Sequence, residues 1–197
     1  MIEERVNVKG NKSATFERDS KAVPLPISQI ETRQETRLHM PSEELNRVLG
    51  GGLVAGSIVL IGGEPGIGKS TLVLQNILSI RGKRILYVSG EESASQLKMR
   101  ADRIGRLSDN CYIVCDTSLE NILGHIKQVE PELVVVDSIQ TIASDAIESS
   151  AGSVSQVREC AAQLLRYAKA SGTPVILIGH INKEGSIAGP KVLEHIV

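Results

Sequence analysis

The run Gly63-Glu64-Pro65-Gly66-Ile67-Gly68-Lys69-Ser70 has the residue types and spacing of a loop that holds phosphate. It lies between an apolar run that reads as a buried strand and a helical pattern, the setting such a loop requires. Glycines let successive backbone N–H groups converge on phosphate oxygens, and the helix that begins near Lys69 turns its positive end toward the same anion. In this reading Lys69 reaches the β and γ phosphates and the Ser70 hydroxyl ligates Mg²⁺. Thr71 hydrogen-bonds a phosphate or caps the helix.

A second chemical group closes the aliphatic run Leu133–Asp137, which is followed by Ser138 in the pattern of a Walker B strand. Parallel strands deliver their last residues to the sheet edge where ligands bind, so Asp137 is placed to hold Mg²⁺ and its waters. Hydrolysis also needs a carboxylate that orients and polarises the attacking water. Glu91 and Glu92 follow another expected strand at that edge, and two adjacent side chains cannot both face one water. Glu91 is therefore assigned as the base, with Glu92 as a supporting or interchangeable candidate. His180 follows the run PVILIG and emerges at the same edge, where a ring N–H could sense the γ phosphate and pass its presence to the next loop.

These groups must be positioned by strands. Apolar runs predict strands over 57–61, 84–89, 111–115, 133–137 and 174–179, with helical patterns over 70–80, 93–104, 119–129 and 154–170 between them and a short helix over 41–49 before them. Strands alternating with helices imply an α/β fold, a mainly parallel sheet covered by helices on both faces. In the last helix Val154, Val157, Ala161, Leu164, Leu165 and Ala168 recur at helical spacing, Ser153 and Gln156 suit a capping box, and Gly172 ends it. Residues 1–22 are polar, without an apolar period, and the prolines of VPLPIS favour extended chain. The expected division is a disordered tail or linker over 1–22 and one domain over 23–197. Residues 191–197 look like the start of a further element that stops, as in a partial domain.

Composition excludes several classes. The chain has 197 residues, 41% of them hydrophobic, enough to bury a sizeable core. Lys plus Arg number 22 against 23 Asp plus Glu, a net charge of -1, so no overall positive field draws it to nucleic acid or lipid. Phe16, Tyr87, Tyr112 and Tyr167 are the only aromatics, too few for a module that stacks successive bases on rings. Neither a signal peptide nor an 18-residue apolar run occurs, so a cytoplasmic place and no membrane partner are expected. Cys111 and Cys115 lie about 13 Å apart along one strand, too far to share a metal. Both thiols, with Cys160 on an apolar helix face, read as buried or structural. Two loops at the chemical edge, 144–153 and 182–191, could meet a polymer, and Lys183 and Lys191 in the second could contact backbone phosphates.

Taken together, LNRVLGGGLVAGSIVLIGGEPGIGKSTLVLQ, YVSGEES, VVVDSIQT, SVSQVREC and GHINKEGSIAGPKVLEH resemble the ATPase core of the bacterial RadA/Sms DNA-repair proteins, within the RecA-type P-loop group. The resemblance runs from about residue 23 to 197. It implies a RecA-like P-loop NTPase core that binds ATP and Mg²⁺, hexameric rings, and a DNA-dependent ATPase that processes recombination intermediates and promotes branch migration as a helicase-like motor. Single-stranded or branched DNA and a recombinase are the partners implied. Carried over residue by residue, ATP binding falls on Gly63, Glu64, Pro65, Gly66, Ile67, Gly68, Lys69, Ser70 and Thr71. Mg²⁺ falls on Ser70 and Asp137, the base on Glu91, and the sensor on His180.

The chain departs from the family pattern in three ways. No four-cysteine finger is present, so zinc is not carried over; no KNRFG motif or Lon-like domain follows; and Asn182 stands where the family has threonine. A missing cation on the transferring phosphoryl group is worth about 10³ to 10⁵ in rate, which implies feeble hydrolysis and leaves open a nucleotide-binding switch or inactive fragment without efficient turnover. Missing strands imply an uncovered sheet edge. A KaiC-like signalling ATPase or a replicative helicase core shares the LGGGL, phosphate-loop and acidic-pair pattern and stays an alternative, with KEGSIAGPKVLEH weighing against it.

Overall fold

Central strands with apolar residues at both parities can be stable only if both of their faces are covered. The computed structural model describes residues 24, 26–29 and 36–180. The expected tail over 1–22, the loop 182–191 with Asn182, Lys183 and Lys191, and the element expected over 191–197 lie outside the described residues. An antiparallel pair, β1 (Arg37–Leu38) and β2 (Leu53–Val54), flanks α1 (Glu43–Val48). Then come β3 (Ile58–Gly63), α2 (Lys69–Ile77), β4 (Ile85–Ser89), α3 (Ala94–Ile104), β5 (Cys111–Cys115) and α4 (Leu119–Val129). The chain continues through β6 (Leu133–Asp137), a 3-10 turn (Ile139–Thr141), α5 (Val154–Ser171) and β7 (Val175–His180).

β3 to β7 form a parallel five-stranded sheet in the order β3-β7-β6-β4-β5. The fold is the α/β architecture of a RecA-like P-loop NTPase core. Alternate residues feed two separate cores. Leu86, Val88, Val134, Val136, Val175 and Leu177 pack with Leu119, Ile122 and Ile126 of α4 and with Val157, Ala161 and Leu164 of α5. Ile85, Tyr87, Leu133, Val135, Ile176 and Ile178 pack with Val73, Leu74 and Ile77 of α2 and with Leu97 and Ala101 of α3. The chain after β4 therefore leaves toward one face and the chain after β6 toward the other, which opens a crevice at their carboxyl ends. Register aligns those ends: Gly63 is opposite His180, and Ser89 is opposite Asp137.

Two local expectations need correction. The Ser153 side chain caps α5 by accepting from the Gln156 N–H, but the Gln156 side chain does not complete the box. It is 2% exposed and turns to the loop after the 3-10 turn, accepting from Ser144 N–H and donating to the carbonyls of Ser144, Ile147 and Ser149. The loop 144–153 is thus clamped, and Glu120 adds a second anchor by accepting from Ser144 Oγ and Asp145 N–H. The full reciprocal box occurs instead at α3, between Ser93 and Gln96. Cys115 is exposed rather than buried, because β5 is an edge strand with no neighbour on its outer side among the described residues. Cys111 is half-buried and Cys160 buried, and burial pushes their thiols up to about 11 and about 12.

The clamp is testable. Gln156→Ala leaves buried loop carbonyls and an N–H without partners, so unfolding free energy should fall by about 1–3 kcal/mol. Amide exchange should accelerate over 144–149 and not in β6 or β7, as read by urea denaturation and hydrogen-exchange mass spectrometry.

Candidate functional site

β3 ends at Gly63 and α2 begins at Lys69, so the run expected to hold phosphate forms the connection between strand and helix. Gly68 is the helix cap in the left-handed region at φ 99°, and it has no side chain with which to satisfy the first N–H groups of α2. A Cβ at Gly66 or Gly68 would meet nothing within 4 Å, so the loop is uncrowded at both glycines. Helical donors without a side-chain cap fit a phosphate group. Ser70 is half-buried in the first turn and Thr71 is exposed; the cap is Gly68, not Thr71.

Lys69 is 7% exposed and folds back over the loop. Its Nζ donates to the carbonyls of Gly63 at 2.8 Å and Glu64 at 2.9 Å and lies 3.2 Å from His180 Nδ1. A lysine ammonium can only donate, so Nδ1 accepts and Nε2 carries the ring proton. Nε2 lies 2.9 Å from Glu91 Oε1, and that oxygen also accepts from Ser138 Oγ at 2.6 Å. Partial burial pushes the Glu91 carboxyl up, but the hydrogen bonds from Ser138 and His180 and the nearby Lys69 charge together hold it below the usual carboxylate range. Lys69, His180, Glu91 and Ser138 therefore form one continuous polar chain across the carboxyl edge.

The adjacent glutamates diverge. Glu92 pairs with Arg100 of α3, and its Oε2 is buried without a partner among the described residues. Glu91 projects toward the loop with its side chain 41% exposed.

Asp137 is 5% exposed and accepts from the hydroxyl of Tyr87, which lies on the same face of the sheet. Burial, then the nearby Asp137 charge, push the Tyr87 phenol well above its ordinary value, so it stays a donor. The Asp137–Ser138 peptide is cis. Sequence reasoning missed Tyr87, Ser138 and Gln140, whose Nε2 donates to the His180 carbonyl at 3.2 Å. Tyr87 had a legible signal: a lone phenol in an otherwise aliphatic strand needs a partner once buried. Among the described residues no cluster of three or more His, Cys, Asp or Glu is arranged to hold a metal, so a cation here would rely on phosphate oxygens and water beside Ser70 and Asp137.

The sequence profile of a family described as "AAA domain" matches residues 24–186. Proteins named DNA repair protein RadA are similar to the chain. Those of Halalkalibacterium halodurans and Bacillus subtilis are each 50% identical over the whole chain and 44% of the relative. That of Streptococcus pneumoniae is 46% identical over 90% of the chain and 42% of the relative. The chain thus spans less than half the length of these curated relatives. The solved structure of a KaiC-like protein from Pyrococcus horikoshii matches with a TM-score of 0.67 at 24% identity, over 83% of this chain and 78% of that one, a likeness of fold.

Tyr87→Phe removes the donor from a nearly buried carboxylate. It should lower unfolding free energy by about 1–3 kcal/mol in metal-free and nucleotide-free protein. Tyr112→Phe on the exposed edge strand should change it by less than about 0.5 kcal/mol, and paired urea titrations check the difference.

Proposed function

Because this chain belongs to the AAA domain family and is homologous along its length to bacterial RadA proteins, we propose that it is the ATP-hydrolysing core of a DNA-repair motor. The activity proposed is a DNA-dependent ATPase that processes recombination intermediates and promotes branch migration, with 23–197 as its ATPase domain. One observation carries the reading: an uncapped helix start and the side chains of Lys69, His180, Glu91 and Asp137 share one sheet edge.

Each residue then has a task. The backbone N–H groups of the loop over 63–71 cradle phosphate, and Lys69 exchanges its carbonyl partners for β and γ oxygens. Glu91 stays ionised at neutral pH, so it can accept a hydrogen bond from the attacking water and align it. Ser70 and Asp137 would hold Mg²⁺, which when bound would neutralise charge on the phosphates. His180 loses its Lys69 contact when Lys69 turns to phosphate, so its ring can report an occupied site to the chain that follows.

The partners proposed are single-stranded or branched DNA, other copies of the chain in a hexameric ring, and a recombinase, with the cytoplasm as the place of action. The names of the relatives support DNA as the substrate class. The loop 144–153 carries Asp145 and Glu148 and no cation, so phosphate contact falls to Lys183 and Lys191. No helix among the described residues is long and apolar enough to cross a membrane.

The test is ATP turnover by the chain with and without single-stranded DNA, beside nucleotide binding. Turnover should rise with DNA, and Lys69→Ala should lower it by about 10² to 10³-fold while circular dichroism stays native. Binding without turnover would replace the motor by a nucleotide switch. No binding by folded protein would remove the phosphate-loop assignment.

A further inference from the structure

We propose that Ser138 is the positioning residue for Glu91, fixing one carboxylate oxygen so that the other is presented to the attacking water. The proposal rests on the reading of Glu91 as the water-orienting carboxylate. Ser138 is fully buried, directly after the strand that carries Asp137. Its hydroxyl donates to Glu91 Oε1 at 2.6 Å, and His180 Nε2 approaches the same oxygen at 2.9 Å. Oε1 is thereby occupied twice, whereas Oε2 accepts no hydrogen bond among the described residues.

The hydroxyl is aimed by its surroundings. The carbonyl of Ser138 accepts from Thr141 Oγ1 at 2.8 Å and from Thr141 N–H at 3.2 Å, which closes the 3-10 turn. Thr141 fits against Gly90, where a Cβ would stand 1.9 Å from Thr141 Oγ1, and Gly90 N–H donates to the Asp137 carbonyl at 2.8 Å. The turn and the residue before Glu91 are therefore interlocked, and Ser138 reaches Glu91 across a closed contact. His180 cannot serve as the sole anchor, because its other ring nitrogen is engaged with Lys69, the group that must turn to phosphate. The Ser138 bond depends on no group that binds nucleotide. A glutamate held this way loses its rotamer freedom before the reaction and needs no reorganisation in it.

Two measurements on the 197-residue chain test the assignment. The first is ¹³C NMR titration of the Glu91 carboxyl without nucleotide or metal, with the resonance identified by its loss in Glu91→Gln. A hydrogen bond donated to a carboxylate favours its charged form, so Ser138→Ala should move the midpoint upward while the Lys69 charge and the His180 N–H still face Glu91. Ser138→Cys, a weaker donor of similar volume, should move it less. The second is steady-state turnover. Ser138→Ala should lower kcat by about ten- to a hundred-fold with nucleotide affinity nearly unchanged, and should cost nothing further in a Glu91→Gln background.

An unmoved midpoint in both folded variants would overturn the contact. An additive loss in the double variant, or a native kcat in Ser138→Ala when Glu91→Gln is slow, would overturn the positioning role. Native turnover by Glu91→Gln would instead remove the role of Glu91 and the positioning role with it, while the titration still reads the Ser138 contact.

Discussion

Burial of the parallel strands on both faces is the constraint from which the site follows. Every residue of β4 and β6 is buried, so neither strand has a face on which a polar group could meet solvent. Polar chemistry can enter only at strand ends. Register then aligns those ends, with Gly63 beside His180 and Asp137 beside Ser89. Opposite exits from β4 and β6 keep the Glu91 loop and the Ser138 turn on two sides of one crevice. Hydrophobic partitioning, which is indifferent to chemistry, brings together groups from α2, the β4–α3 connection, β6 and β7.

The ligand-free site is electrostatically self-contained. A nearly buried ammonium with no partner would carry a heavy desolvation penalty, and Lys69 avoids it with two loop carbonyls and a ring nitrogen. In the proposed role, phosphate would replace these neutral acceptors with charged ones, and charge-assisted hydrogen bonds are roughly twice as strong. That exchange would free His180 Nδ1, whereas the bond from Ser138 to Glu91 involves neither Lys69 nor His180. Two anchors on one carboxylate oxygen thus differ in kind: one is coupled to Lys69 and one is not.

Much of this architecture was legible because its cause is local. The five strands of the sheet and the helices between them follow from runs and periods of apolar residues, and their ends fall within a few residues of expectation. The strand-to-helix connection after Gly63 was legible because its glycines fall between an apolar run and a helical period. Strand order was not, since β3 pairs with β7, more than a hundred residues away, and no local pattern encodes that choice. β1 and β2 escaped because two residues each show no period. Ser153 announced a cap, but the use of Gln156 depended on a loop distant from the helix start. The thiol of Cys115 read as buried because its strand is apolar; exposure came from its place at the sheet edge.

The adjacent glutamates show how one sheet edge assigns different tasks to identical side chains. Neighbouring residues in a non-helical turn point apart, so only one of Glu91 and Glu92 can face the phosphate loop. The other is directed toward α3, where a half-buried carboxylate needs a cation, and Arg100 supplies it. That pair lies beside Tyr87, whose hydroxyl is already committed to Asp137. Asp137 and Glu92 are thereby held from behind, and Glu91 alone of the three carboxylates is more than a third exposed, with its hydrogen bonds gathered on one oxygen. Under the role proposed for Glu91, one fixed oxygen and one open oxygen suit a group that orients water. Glu92 lacks that combination, because Arg100 of α3 takes one of its oxygens and burial closes off the other.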